Sequence, residues 1–355
     1  MSTSARADRV VAQLAERELD GVLVTDIVDV RYLTGFTGTN AACLVTAEER
    51  LFMTDFRYVE QAEAQVREFE RLPAGRDLTG DLAERLRGRV GFDDARMSVR
   101  AHAKLGEKIG TGVELVPAGG LVGGLREVKD ADELRRIAAA TELATAALER
   151  VLERGLAGYT EHAVALELER AMVDAGADGP SFPAIVAAGP HGALPHAEPR
   201  GVEIPAGVLV VIDWGARLDG YCSDCTRTIA SGGLDARAVE VYELVLEAQR
   251  AGLAAVRAGA EASGADAAAR ELIEAAGHGD CFGHGLGHGV GLEVHEGPRL
   301  TKTSDDVLAA GNVVSVEPGV YLPGELGVRI EDLVAVTDGG ADVMTSFTKA
   351  LVTAG

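Results

Sequence analysis

Cysteine and basic charge are both scarce in this sequence, and each scarcity closes off a class of protein. Four cysteines in 355 residues (Cys43, Cys222, Cys225 and Cys281) do not make a disulfide framework. Cys222 and Cys225 form a CxxC. No second pair follows at zinc-ribbon spacing, and no helix starts directly after it as a redox CxxC requires, so both read as strand residues flanking Asp224. Lysine and arginine number 34 against 56 acidic residues, a formal charge of −22. A chain this acidic repels phosphate backbones, which excludes nucleic acid as a partner and leaves solubility as the simple role of the charge. No run of about 18 apolar residues occurs, so no membrane-spanning helix is expected. The segment Met1 to Val10 mixes Ser, Arg and Asp without an apolar signal core, and a cytoplasmic location is the expectation. What is present is ample apolar content, 47%, enough for sizeable cores in a chain long enough for two domains.

The first third alternates helix and strand. Apolar residues at helical spacing mark a helix over Ala5 to Arg17, and short apolar runs mark strands at Gly21 to Thr25, Asn40 to Thr46 and Leu51 to Thr54. Tyr58 to Val66 reads as a helix with Val59, Ala62 and Val66 inward. This predicts an α/β domain over residues 1–125, closed by a break at Gly119-Gly120 and Gly123-Gly124. Beyond it, Asp130 is an N-cap for a long helix running to about Arg154, and Thr160 opens another that ends near Gly176. Further helices are expected at about 235–257 and 265–275. Strands are expected at Val208 to Trp214, Tyr221 to Ile229, Val313 to Tyr321 and Gly327 to Val336. Helices interleaved with hairpins predict an α+β second domain, residues 126–355.

Three stretches of that domain carry chemistry. In the first, Asp213 ends an apolar strand and Asp224 follows eleven residues later, across the turn signal Asp219-Gly220. An odd separation across a two-residue turn puts both carboxylates on one face. They are directly opposite if Leu218-Asp219 is the turn and diagonal neighbours if Asp219-Gly220 is. Acids near turns commonly just cap them, but two carboxylates this close do not both stay ionised without a cation. In the second stretch His284, His288 and His295, three of the eight histidines, fall among glycines. Those glycines disfavour a helix and allow close backbone approach around the imidazoles. In the third, Glu317 and Glu331 sit fourteen apart in Val/Ile-rich strands, an even spacing that suits a hairpin with the odd loop Pro323-Gly324-Glu325. An unpaired carboxylate in such a strand is costly, so something positive must meet it: a metal, or Arg329, two residues before Glu331 and on its face.

Together the stretches supply four carboxylates and one imidazole, a mostly hard ligand set whose charge two divalent cations would balance. The single histidine suits Mn, Co, Fe or Zn better than Ca or Mg. Paired ions about 3.5–4 Å apart lower the pKa of a shared water and polarise a carbonyl, as in aminopeptidases.

At this point the sequence resembles a known family, the pita-bread metallopeptidases that include Xaa-Pro aminopeptidase (aminopeptidase P) and prolidase. The resemblance covers essentially the whole chain and is carried by Asp213 with Ser223-Asp-Cys-Thr-Arg-Thr228, by His284-Gly-Leu-Gly-His288 through Glu296, by Val316-Glu-Pro-Gly319 and by Val328-Arg-Ile-Glu-Asp332. It implies that Asp213 chelates one metal, that Asp224 and Glu331 bridge two, and that His288 and Glu317 complete the second, with Glu317 also shuttling the proton of the water. Mn is the implied metal, with Co, Zn or Fe as alternatives. His196, in Ala193-Leu-Pro-His196, would stabilise the tetrahedral intermediate, His295 would contact the substrate carbonyl, and His284 and Arg329 would line the substrate pocket. His191 is a departure, standing where relatives often have Asn; a loop position would let it bear on substrate fit and not on catalysis. Tyr32 to Gly38 and Thr54 to Tyr58 resemble the creatinase-type N-terminal domain, which methionine aminopeptidase lacks, while creatinase itself lacks the metal ligands. The resemblance thus implies a creatinase-like domain over 1–125, a pita-bread catalytic domain over 126–355, a homo-oligomer, and substrates with proline in second position. Cleavage of peptides (aminopeptidase P) is the first expectation and of dipeptides alone (prolidase) the second. A peptidase-like binding module without catalysis is disfavoured by retention of all five ligands.

Overall fold

The computed structural model describes residues 2–355 except Ala74 and Arg76. The chain divides into two compact units, Met1–Arg126 and Glu127–Gly355.

The first unit is built on strands β1 (Gly21–Val24), β2 (Ala41–Thr46), β3 (Arg50–Thr54), β4 (Glu70–Pro73), β5 (Gly88–Phe92) and β6 (Val113–Pro117), in the sheet order β4-β3-β2-β1-β5-β6. The β1–β5, β5–β6 and β3–β4 pairs are parallel and the rest antiparallel. Helices α1 (Thr3–Glu16), α2 (Ile27–Thr34), α3 (Val59–Gln65), α4 (Leu78–Ala83), α5 (Val99–Gly106) and α6 (Leu121–Glu127) accompany it. Ser2 caps α1 by accepting from the Ala5 N–H, and Ala7, Val10 and Leu14 form its buried stripe.

Two details differ from the sequence reading. Gly123 and Gly124 do not break the chain but lie inside α6, where burial of Leu121, Val122 and Leu125 outweighs poor helix propensity. Only Gly119 and Gly120, with φ of 43° and 61°, turn the backbone. In α3 Ala62 is buried, as is Val66 directly after it, but Val59 is 58% exposed because it is the helix's first residue and continues the exposed turn at Phe56.

Asp29 in α2 is buried and paired to the buried Arg126 at 2.7 Å. Burial, opposed by Arg126, pushes its carboxyl up to about 6. The folded state therefore holds this proton to a higher pH than the unfolded chain. The resulting stability is full below about pH 4 and drains away as pH rises through about 6. Relative to Asp29→Asn, which cannot titrate, the wild type should lose on the order of 2 kcal/mol between pH 4 and 7. Urea unfolding of both proteins across that range checks this; parallel pH profiles would contradict it.

In the second unit, helices α7 (Ala131–Leu152), α8 (Glu161–Asp174), α9 (Ala236–Ala255) and α10 (Ala262–Ala275) surround small sheets. Asp130 and Glu133 form a reciprocal capping box at the start of α7. The single tryptophan, Trp214, is fully buried and donates from Nε1 to the Ala144 carbonyl at 2.7 Å, tying α7 to the site-bearing strand. The strands are β7 (Gly179–Pro180), β8 (Ile185–Ala188), β9 (Leu209–Trp214), β10 (Ala216–Leu218), β11 (Tyr221–Cys222), β12 (Cys225–Ala230), β13 (Gly287–Gly289), β14 (Glu296–Leu300), β15 (Val313–Val316), β16 (Gly319–Leu322), β17 (Leu326–Arg329), β18 (Asp332–Thr337) and β19 (Gly340–Val343). Their sheet orders are β11-β10-β7, β12-β9-β8, β14-β13-β15-β18-β19 and β16-β17.

Three strands expected to be continuous are each split in two. Tyr221 to Ile229 breaks at Ser223-Asp224, Val313 to Tyr321 at Glu317-Pro318, and Gly327 to Val336 at Ile330-Glu331. At each break the chain leaves one sheet for another. A carboxylate in the middle of a ladder would have neighbouring strands over it; at a change of sheet its side chain is free to turn into the gap. Apolar patterning cannot reveal these breaks, because the residues on both sides are buried.

Candidate metal centre

Two hairpins bring the carboxylates together. In the first, Arg217 pairs with Cys222 and Leu218 with Tyr221, so the turn is Asp219-Gly220, both with positive φ (49° and 77°). The register continues into β9 and β12, where Asp213 pairs with Thr226, making Asp224 its diagonal neighbour. In the second, Leu322 pairs with Leu326 around Pro323-Gly324-Glu325. Val316 pairs with Asp332 and Gly319 with Arg329, which sets Glu317 and Glu331 opposite each other. His288 lies in β13 at a bulge, between Gly287 and Gly289. A Cβ on either glycine would come within 2.0 Å of a carbonyl oxygen, that of Ser315 or of Gly297. Only glycine lets the flanking strands close on the imidazole.

Ligand-type oxygens of Asp213, Asp224 and Glu331 lie within 4.8 Å of one another. His288 Nε2 is 3.6 Å from Asp224 and 3.3 Å from Glu317, so all five residues read as metal ligands are in one cluster. His288 Nδ1 donates to the Gly289 carbonyl at 3.1 Å, which turns Nε2 toward the carboxylates. Thr226 donates to Glu331 at 2.8 Å, and Ser315 to Glu317 at 2.9 Å.

Burial and like charge together perturb the carboxylates of the cluster. Burial first, and neighbouring carboxylates second, hold Asp224 and Glu331 well above the usual carboxylate range. Burial also raises Asp213, against the pull of Arg329. Burial opposes ionisation of Glu317 too, but His288 prevails and brings it down to about 2. Burial lowers His288, yet Glu317 prevails and its pKa is raised. Asp213 Oδ1 and Glu331 Oε1 are buried without a hydrogen-bond partner. Orphaned buried oxygens in a cluster of like charge are acceptors that a bound cation would satisfy.

Arg329 does not pair with Glu331. Its Nη2 meets Asp213 at 2.6 Å, while Nη1 donates to Tyr321 Oη (2.9 Å) and the Pro195 carbonyl (3.1 Å), and Nε to Thr226 (3.0 Å). The break at Ile330-Glu331 ends the alternation on which the Arg329–Glu331 alternative relied. Tyr321 passes the bond on to His284 Nε2 at 2.9 Å, whose Nδ1 donates to the Gly285 carbonyl at 2.8 Å. Tyr321 had no signal in the sequence beyond an aromatic in an apolar run.

The cluster opens into a cavity of about 500 Å³. Asp213, Asp224, His288, Glu317, His196, His284, His295 and Arg329 all line it, whereas Glu331 lies buried behind. The His288 and His295 rings are 4.4 Å apart. Phe182, Pro183 and Ile185 form an apolar wall, and Arg299, which the sequence reading overlooked, adds a cation. Burial lowers the pKa of both His284 and His295, favouring neutral imidazoles. Cys222 and Cys225 are free and buried beside Asp224. His191 is not on an open loop: it sits in a 3-10 turn, Gly189–Ala193, with its ring packed against Glu161.

Comparison with known proteins agrees in family. Metallopeptidase family M24 matches residues 135–338. The chain belongs to metallopeptidase family M24. The creatinase/prolidase N-terminal domain family matches residues 6–128, so this M24 protein joins a creatinase N-terminal domain to a pita-bread domain and is a hydrolase. It is 40% identical to Bacillus subtilis (strain 168) "Uncharacterized peptidase YqhT", over 94% of this chain and 96% of that one. The structure of an Xaa-Pro dipeptidase from Bacillus anthracis superposes with a TM-score of 0.96 at 38% identity, covering 99% of this chain and 100% of that one. An X-Pro aminopeptidase from Thermotoga maritima MSB8 gives 0.89 at 33%, covering 98% and 99%. Among the described residues of this M24 chain, no helix is long and apolar enough to cross a membrane.

Proposed function

We propose that this M24 protein is a two-metal exopeptidase that hydrolyses the bond between an N-terminal residue and a following proline. The observation that carries the metal is the buried carboxylate cluster beside the cavity, with the orphaned oxygens of Asp213, which lines it, and of Glu331, buried behind. The proline preference is supported by the motifs and by the names of the B. anthracis and T. maritima proteins.

Asp213, Asp224, His288, Glu317 and Glu331 would hold the ions, with Asp224 and Glu331 shared between them; manganese suits the set, with Co, Zn or Fe as alternatives. Bound divalent ions supply the positive charge that makes hydroxide available near neutral pH and polarises the scissile carbonyl. Glu317, which lines the cavity and accepts from Ser315, takes the water proton and passes it to the leaving proline nitrogen. His196 and His295 face the same space and donate to the oxygen that gains charge. Phe182 and Ile185 offer the proline ring an apolar wall.

Cleavage of peptides of varied length is the first reading. Strict dipeptidase action is the second, favoured by Arg299, a cavity cation that would meet the free carboxylate of a dipeptide. The deciding experiment offers Ala-Pro and Ala-Pro-Ala to the manganese-loaded protein before and after chelation. Chelation should abolish cleavage and Mn or Co should restore it; undiminished activity in metal-free protein would refute the metal role. Cleavage of Ala-Pro alone assigns the dipeptidase.

A further inference from the structure

Glu161, the first residue of α8, is almost completely buried, and none of its side-chain bonds serves the helix it opens. The cap is already provided by Thr160, which accepts from Ala163. The Glu161 carboxylate instead accepts from the Ala188 N–H at 2.9 Å, the Arg200 N–H at 3.0 Å, and Arg200 Nε and Nη2 at 2.9 Å each. His191 Nδ1 lies 3.1 and 3.0 Å from its two oxygens. Burial acts to raise the carboxyl's pKa, but these donors prevail and keep it below the ordinary range. The backbone follows the same path: Glu161 N–H donates to Val202 and His162 N–H to Arg200.

Ala188 and Arg200 are the two ends of a single stretch. Between them, Pro195, His196, Ala197, Glu198 and Pro199 form one wall of the cavity. From Leu194 to Arg200 this wall belongs to no helix or strand, so it depends on outside partners for its position. Its middle is held by Arg329, which donates to the Pro195 carbonyl, and by the close approach of Gly192 to Gly327, where a Cβ would lie 1.8 Å from the Gly192 oxygen. Its two ends meet on one carboxylate. Several charge-assisted bonds to one buried group make a rigid anchor, and a wall displaced by about 1 Å can cost a reaction as much as 100-fold.

We propose that Glu161, with His191 and Arg200, is a positioning latch that sets the His196 wall against the reaction centre. This rests on the role given to His196 above. It also gives His191 a function: holding the wall and not touching substrate.

The test is a double-mutant cycle on the manganese-loaded protein, with Ala-Pro or Ala-Pro-Ala as substrate, whichever is cleaved. Arg200→Ala removes two donors from a half-exposed side chain; Glu161→Gln removes the charge. Each should lower kcat about tenfold or more with manganese content unchanged. In a His196→Ala background the same changes should cost less than about twofold, because the latch acts through His196. Equal losses in both backgrounds would overturn the latch and leave the His196 role standing. No effect of His196→Ala alone would overturn that role and the latch with it. Should Glu161→Gln fail to fold, Arg200→Ala carries the cycle. His191→Asn, whose amide still donates to the carboxylate, should retain most of the rate that His191→Val loses; equal losses would remove His191 from the latch.

Discussion

Glu331→Gln should strip the protein of metal and lower kcat/KM by at least ~10³-fold, a barrier of about 4 kcal/mol, while making the metal-free fold more stable. The two effects have one cause. Glu331 is buried, its carboxyl is held well above its usual range by burial and by Glu317 and Asp213, and its Oε1 has no partner. Without a cation that charge is a burden, and a neutral isostere relieves it by about 1–3 kcal/mol. The amide keeps the bond from Thr226 through its oxygen and turns its N–H₂ toward acidic neighbours. The sign with pH follows: a carboxyl raised in the folded state stabilises fully below about pH 4 and loses that contribution as pH rises, so the variant's advantage should widen toward neutrality. Asp224→Asn should behave alike, since its carboxyl is raised by burial and by Glu331. Elemental analysis and thermal unfolding under chelation check both; a variant that retains two ions, or a metal-free form less stable than wild type, would refute the assignment.

Arg227→Met should act in the opposite direction on stability, destabilising the second unit by about 3–5 kcal/mol, a fall of roughly 10 °C or more in Tm. Arg227 is 1% exposed and pairs with the equally buried Asp332 at 2.9 Å. It also donates to the carbonyls of Phe347 (2.6 Å) and Thr348 (2.9 Å), and to that of Glu331. Asp332 is further held by Gln249 and Lys349. Removing the guanidinium leaves a buried carboxylate short of a cation and several carbonyls without donors. Because one of those carbonyls belongs to Glu331, manganese affinity should fall too, without loss of any ligand side chain. Calorimetry with and without manganese separates the effects, and a Tm within about 2 °C of wild type would contradict the prediction.

Legibility of the site followed from local spacing. The odd interval from Asp213 to Asp224 and the even interval from Glu317 to Glu331 are properties of hairpins, and a hairpin's register is decided by its own turn. Asp219-Gly220 and Pro323-Gly324-Glu325 are the turns found. The glycines beside His288 were legible for a similar reason: only a backbone that must be closely approached uses so many.

What the sequence by itself determined is therefore the chemistry and its pairing: four carboxylates and an imidazole, two on each of two hairpins and one on a glycine-bounded strand. Tertiary structure alone decided the rest. It broke three apolar strands at Asp224, Glu317 and Glu331, turned Arg329 from Glu331 to Asp213, brought Tyr321 and Arg299 to the cavity, and buried His191 against Glu161. The physical reason is distance along the chain. Alternation and turn chemistry act over a few residues, whereas partners such as Arg329 with Asp213, or Glu161 with Arg200, meet only after separate sheets and helices have packed.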